Sequence, residues 1–137
     1  MKDVRNLIPK DKFDTSTTEK LMSLEDDAID TIIPELLKWI QDMNWPVASH
    51  IIRVFVYHRA VTETYLPDLL KPEQTDEEWK YNIIAPLLMK WPSKPCDNRI
   101  VGEIMRIAEC PTVSEKEDYV DEAAKKYLDA FDKNNFS

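Results

Sequence analysis

Glycine is almost missing from this chain: Gly102 is the only one in 137 residues. β-Hairpins and phosphate-cradling loops each want several, because their backbone turns through left-handed conformations or closes tightly on a ligand. Histidine is nearly as scarce. His50 and His58 stand eight residues apart, and roughly 12 Å of helical rise between them is too far for one shared metal ion. The two cysteines, Cys96 and Cys110, flank a single predicted helix. Its ends lie roughly 20 Å apart, beyond the reach of a disulfide. They read as reduced thiols, with no histidine nearby in sequence to activate either one. No serine sits in a G-x-S-x-G setting. No N-terminal apolar run resembles a signal peptide, and no stretch approaches the length of a membrane span. A cytoplasmic location without membrane attachment is the expectation.

Charge is abundant. Twenty-six acidic residues against 18 basic ones give a formal net charge of −8. Neutralising a phosphate backbone takes clustered lysine and arginine, so nucleic acid is an unlikely partner. Arg53, Arg59, Lys80, Lys90, Arg99 and Arg106 are the contributors to any basic stripe. A basic protein suits the chain better, and the acidic excess by itself favours solubility.

Apolar residues recur at steps of three and four throughout, which makes the chain all-α. Residues 1–14 read as an extended arm anchored by Leu7, Ile8 and Phe13, and Ser16 to Glu19 has capping-box spacing ahead of a short helix. A helix over about 25–43 carries the stripe Ile29, Ile32, Ile33, Leu36, Leu37 and Ile40, with a bend at Pro34. A second helix, about 45–59, aligns Val47, Ile51, Val54, Phe55 and His58. The phrase Ile33-Pro34-Glu35-Leu36-Leu37-Lys38 then returns 33 residues later as Leu66-Pro67-Asp68-Leu69-Leu70-Lys71. Such a recurrence marks stacked supersecondary units. The second copy opens a short helix near 62–71. A capping box at Thr75 to Glu78 precedes a helix bearing Ile83, Ile84, Leu87, Leu88 and Trp91, bent at Pro86. Pro92 and Pro95 bound a loop. A third unit follows, with a stripe from Ile100 to Ala108, a capping box at Ser114 to Glu117, and a last helix bearing Val120, Ala123, Ala124, Tyr127, Leu128 and Phe131. Residues 132–137 are polar and expected to fray.

The arrangement of Pro34 to Leu37, Asp42 to Val47 and Ile51 to Phe55 resembles HEAT-like repeats, and Pro67 to Leu70 with Asp76 to Ile84 matches more loosely. The whole chain is also similar to a family of short, mostly bacterial proteins of unknown function. The residues that carry this likeness are Ile8 to Asp14, Trp39 to Val47, Trp79 to Tyr81, and Pro111-Thr112. The resemblance implies a single HEAT-like domain over 1–137: an arm at 1–14, a short helix, and helix pairs at about 25–59, 60–91 and 97–131. It brings no catalytic residues with it.

The search for chemistry yields no catalytic, cofactor-binding or metal-binding set. His58 falls on the apolar stripe, as a satisfied core histidine would. The acidic groups at Glu25 to Asp30 and Glu117 to Glu122 suit helix N-termini, which favour negative charge. Trp45 and Trp79 hold equivalent positions in two units and read as structural. A candidate protein-binding patch remains: His50, Arg53 and Tyr57 at steps of three and four, with Trp39 and Trp91 as aromatic anchors. The function expected is therefore a non-catalytic protein-binding module, an adaptor or an immunity-type inhibitor masking a basic surface. A HEAT-like nucleic-acid binder or base-repair enzyme and a structural oligomer subunit are the alternatives.

Overall fold

The computed structural model describes residues 4–91 and 96–135, with side chains through Phe131. Every regular element among them is helical, so the chain is all-α. It divides into two compact units, Met1–Tyr65 and Leu66–Ser137.

Unit 1 begins with a 3-10 turn over Val4–Leu7, where an extended arm was expected. Pro9 is buried and Leu7 and Ile8 half-buried, but Phe13 is 67% exposed. The reason lies in two aspartates. Asp11 accepts from the Phe13 amide at 2.9 Å, and Asp14 accepts from the Lys10 amide at 3.0 Å and the Ser16 hydroxyl at 2.6 Å. The resulting loop turns Phe13 outward. Helix α1, Thr18–Ser23, follows without the expected capping box: the Ser16 hydroxyl donates to Asp14, and the observed N-cap, Thr17, turns its hydroxyl to the Leu7 carbonyl.

The expected helix at 25–43 is three pieces: α2 (Asp26–Asp30), α3 (Ile33–Leu37) and a 3-10 turn over Lys38–Ile40. Proline explains the break. Pro34 has no N–H for the Asp30 carbonyl and its ring crowds that oxygen, but in the first turn of a new helix it costs little. The freed Asp30 carbonyl lies 3.3 Å from the Tyr65 hydroxyl, which also donates to the Asp30 carboxylate at 2.7 Å. The predicted stripe nonetheless holds, with all six of its residues buried. Removing each such side chain from water stabilises the fold by about 1.5–3 kcal/mol. Helix α4, Pro46–Tyr57, packs on α1, and α5, Arg59–Glu63, packs on α2. The chain breaks between α4 and α5 at His58, whose φ −103 and ψ 47 are not helical.

Unit 2 opens on the second copy of the repeated phrase, as α6 (Leu66–Leu69). The helix expected at 62–71 is therefore two, and the local geometry repeats. The turn residues Thr31 and Thr64 share φ −64 and ψ −22, and each leads into a helix with proline in its first turn. Helix α7, Glu77–Asn82, is capped by Asp76, which accepts from the Trp79 amide at 3.1 Å; Thr75 is not the cap. The chain then widens into a π-helix over Ile83–Leu87 and tightens into a 3-10 turn over Leu88–Lys90. A bend was expected at Pro86. The wider turn answers the same missing donor, as the Leu88 amide reaches back to Ile83. Pro92 and Pro95, expected to bound a loop, lie outside the described residues.

Helix α8, Asn98–Glu109, buries Ile100, Ile104 and Ile107. The third capping box is real but belongs to Thr112 and Glu115, at the start of α9, Val113–Glu117. Ser114 was the expected cap. Tyr119 then takes a left-handed conformation, φ 64, which separates α9 from α10, Val120–Asn135. The last helix thus starts later than expected and its backbone runs past 131. Ala123 and Ala124 are buried on the face of α10, which packs on α8 and the π-helix.

Candidate functional site

Two arrangements in unit 2 gather side chains that local sequence patterns keep apart. One is a buried charge network. Lys80, fully buried, places its ammonium 2.7 Å from Glu115 Oε2 and 3.6 Å from Glu77 Oε1. Arg106 forks onto Glu115 from the other side, Nη1 to Oε1 at 2.8 Å and Nη2 to Oε2 at 2.9 Å. Its Nη2 also donates to the Leu70 carbonyl at 2.9 Å. Thr112 donates its amide to Glu115 Oε1 at 2.8 Å, so the capping box and the ion pair share one carboxylate. Burial pushes Glu115 upward, but the hydrogen bonds from Arg106, Lys80 and Thr112 outweigh it and hold its pKa down at about 2. Glu77 moves the other way. Burial lifts it, the Lys80 charge opposes the lift, and the nearby Glu115 charge adds to it. Glu77 Oε2 is buried without a hydrogen-bond partner among the described residues. Buried charges are tolerated only when paired, and these pairs tie α7, α8 and α9 together. Lys80, Glu77 and Glu115 are enclosed and Arg106 alone reaches solvent, its side chain 25% exposed, so the network holds the unit together from within.

The other arrangement is an open groove of about 710 Å³, bordered by α7, the π-helix, the α9–α10 junction and α10. Ala85 and Ala123 line it beside Met89, Tyr81 and Tyr119. Those last three are exposed, Tyr119 at 63%. Glu78, Asp118, Glu122 and Lys126 complete the lining. Two unusual pieces of backbone meet here. The π-helix contributes Ala85, and the left-handed residue is Tyr119 itself. A non-glycine residue at positive φ costs of order 1–3 kcal/mol and persists where its surroundings over-determine it.

The residues singled out from sequence are placed differently. His50 is half-buried, with Nδ1 3.5 Å from the Thr18 hydroxyl, and Arg53 reaches Glu19 at 3.4 Å. Tyr57 is 63% exposed. All three lie along α4, with the first two turned toward α1. Trp39 is half-buried and meets Trp45 edge-on, the ring centroids 5.7 Å apart. Trp91 is only 3% exposed, so its ring is enclosed and offers no surface anchor. His58 is a satisfied core histidine: Nε2 lies 2.9 Å from the Leu21 carbonyl and Nδ1 2.7 Å from Asp26 Oδ1. Of the basic residues considered for a stripe, Lys80 is buried, while Arg53, Arg59, Arg99 and Arg106 pair with carboxylates. Cys96 is buried and Cys110 exposed, both unbridged. Among the described residues no group of three or more His, Cys, Asp or Glu side chains is placed to hold a metal ion, and no helix is long and apolar enough to cross a membrane.

In unit 1 two of the sequence strings that carry the family likeness form one joint. The amide of Val47, at the start of α4, donates to the Lys12 carbonyl at 2.9 Å. The arm loop thereby satisfies an orphan donor at a helix N-terminus that lacks a side-chain cap. The domain of unknown function DUF5071 matches residues 7–128, a span that takes in both strings of this joint and both borders of the groove. The chain belongs to this family. No curated protein matches it. Membership carries no chemistry of its own, so function has to be argued from the side chains.

Proposed function

We propose that the chain is a non-catalytic protein-binding module and that it receives a partner segment in the unit-2 groove. The observation that carries this reading is the exposure of Tyr81, Met89 and Tyr119 along one groove, with Tyr119 held there at φ 64. Aromatic residues and methionine are enriched at interfaces, because they bury large areas at a modest entropic cost. The histidines offer little to a reaction. His58 is committed on both ring nitrogens, and His50 lies beside Thr18. The HEAT-like reading of the fold belongs to the same proposal, supported by the helix–turn–helix geometry that recurs at Thr31 and Thr64. So does a cytoplasmic setting, supported by two unbridged cysteines, one of them exposed.

Site-specific photo-crosslinking in native cells tests the proposal. A photoreactive phenylalanine analogue replaces Tyr81, or Tyr57 on α4 as the comparison position. Saturable protein adducts at Tyr81 that an added Ala85→Arg substitution abolishes are the expected result. Adducts of equal yield at both positions, or none at Tyr81, overturn it.

A further inference from the structure

We infer that the groove selects a basic peptide segment, one that brings lysine or arginine together with an aromatic or aliphatic side chain. This rests on the groove being the binding surface, and it adds the chemistry of what enters.

Acidic side chains of unit 2 differ in what they face, and six of them show the contrast. Glu77, Glu103 and Glu115 face cations within the unit, at 2.7–3.6 Å. Glu78, Asp118 and Glu122 line the groove, and among the described residues none of the three has an ion-pair or side-chain hydrogen-bond partner. Against these three carboxylates the lining holds one cation, Lys126. Glu78 and Glu122 sit in the first turns of α7 and α10, where the helix dipole favours negative charge. That accounts for two of the acids. Asp118 follows the C-terminus of α9, where a carboxylate opposes the dipole. It also stands two residues before α10, so the two helix ends act on it in opposite senses and neither dipole alone accounts for it.

The apolar part of the lining fits the same occupant. Tyrosine faces attract ammonium and guanidinium groups. Methionine adapts to varied apolar shapes. Ala85 and Ala123 keep the lining there small. A basic segment therefore finds a charge partner, a ring face and an apolar floor in one place. Phosphate backbones and anionic membrane surfaces are repelled by the same carboxylates. A second copy of a chain of net charge −8 meets like charge as well.

Selection from a random peptide display library tests the inference. The bait is the full chain, and Glu78→Gln/Glu122→Gln and Ala85→Arg variants serve as counter-baits. Enriched peptides are expected to carry at least two lysines or arginines beside an aromatic or aliphatic residue. Their affinity should fall about tenfold or more on the Gln variant and again as salt is raised. Neutral or acidic peptides that Ala85→Arg excludes but the Gln variant keeps would overturn the basic selectivity and leave the groove reading standing. Peptides indifferent to Ala85→Arg, or no enrichment, would overturn both. A concentration-dependent dimer in sedimentation that Ala85→Arg abolishes would assign the groove to self-association and overturn the inference.

Discussion

Lys80 Nζ donates to Glu115 Oε2 across 2.7 Å, at a place where neither side chain reaches solvent. An ion pair so enclosed contributes little net stability over a well-packed apolar pair, but losing one partner is expensive. The network therefore makes the packing of α7, α8 and α9 conditional on every member being present.

Lys80→Met is expected to destabilise the chain by about 3–5 kcal/mol, since Glu77 then loses the cation it faces and Glu115 keeps Arg106 alone. Urea unfolding measures this directly. Adding Glu77→Leu should recover much of the loss by removing the second buried carboxylate. A single-variant effect under about 1 kcal/mol would contradict the account.

The two glutamates predict opposite pH dependences. Glu115 has a folded pKa of about 2 against an ordinary 4.5, so between these values the unfolded chain binds more protons. Its stabilisation is complete above that window and lost as pH falls through it, on the order of 3 kcal/mol. Glu77 is raised above its ordinary 4.5, so there the folded chain binds more protons. Its contribution is complete below that value and lost as pH rises through the folded pKa. Urea midpoints measured across pH should rise steeply on the acid side and then decline. Glu77→Gln should remove the decline, and an unchanged profile would count against this assignment.

His58→Leu removes the imidazole that bridges the Leu21 carbonyl and the Asp26 carboxylate. A loss of about 2–3 kcal/mol is expected. Hydrogen exchange should localise faster opening to α1, α2 and α5. Uniform acceleration across unit 1 would show that His58 does not act locally.

Gly102→Ala should stabilise the chain by about 0.5–1 kcal/mol. Gly102 lies within α8, is exposed, and a Cβ built there meets nothing within 4 Å. A thermal melt is sufficient, and a lower midpoint would contradict the helix geometry.

The apolar stripes were legible from spacing alone, because burial follows the helical period whatever happens at the ends. The ends were not. At Ser16 and Ser114 the S-x-x-E pattern is present, but Asp14 takes the Ser16 hydroxyl, and the helix near Ser114 starts two residues earlier, with Thr112 boxing Glu115 where Ser114 and Glu117 were the expected pair. Proline gave the positions of the breaks and not their form. Pro34 restarts a helix, whereas Pro86 widens one. The charge network joins Lys80 to Glu115, 35 residues away, so no local pattern contains it. The groove was hidden for another reason. It turns on a left-handed Tyr119, and nothing in a Lys-Glu-Asp-Tyr-Val string announces positive φ.

That tyrosine also bears on how far the chain is from its own stability optimum. The one glycine stands in an open helical site where alanine is better, while the left-handed site, where glycine is better, holds an aromatic. A variant carrying Gly102→Ala and Tyr119→Gly keeps the glycine count and exchanges two unfavourable placements for two favourable ones. It would separate endurance from recognition in one molecule: harder to unfold, and blunted at the surface where Tyr119 stands.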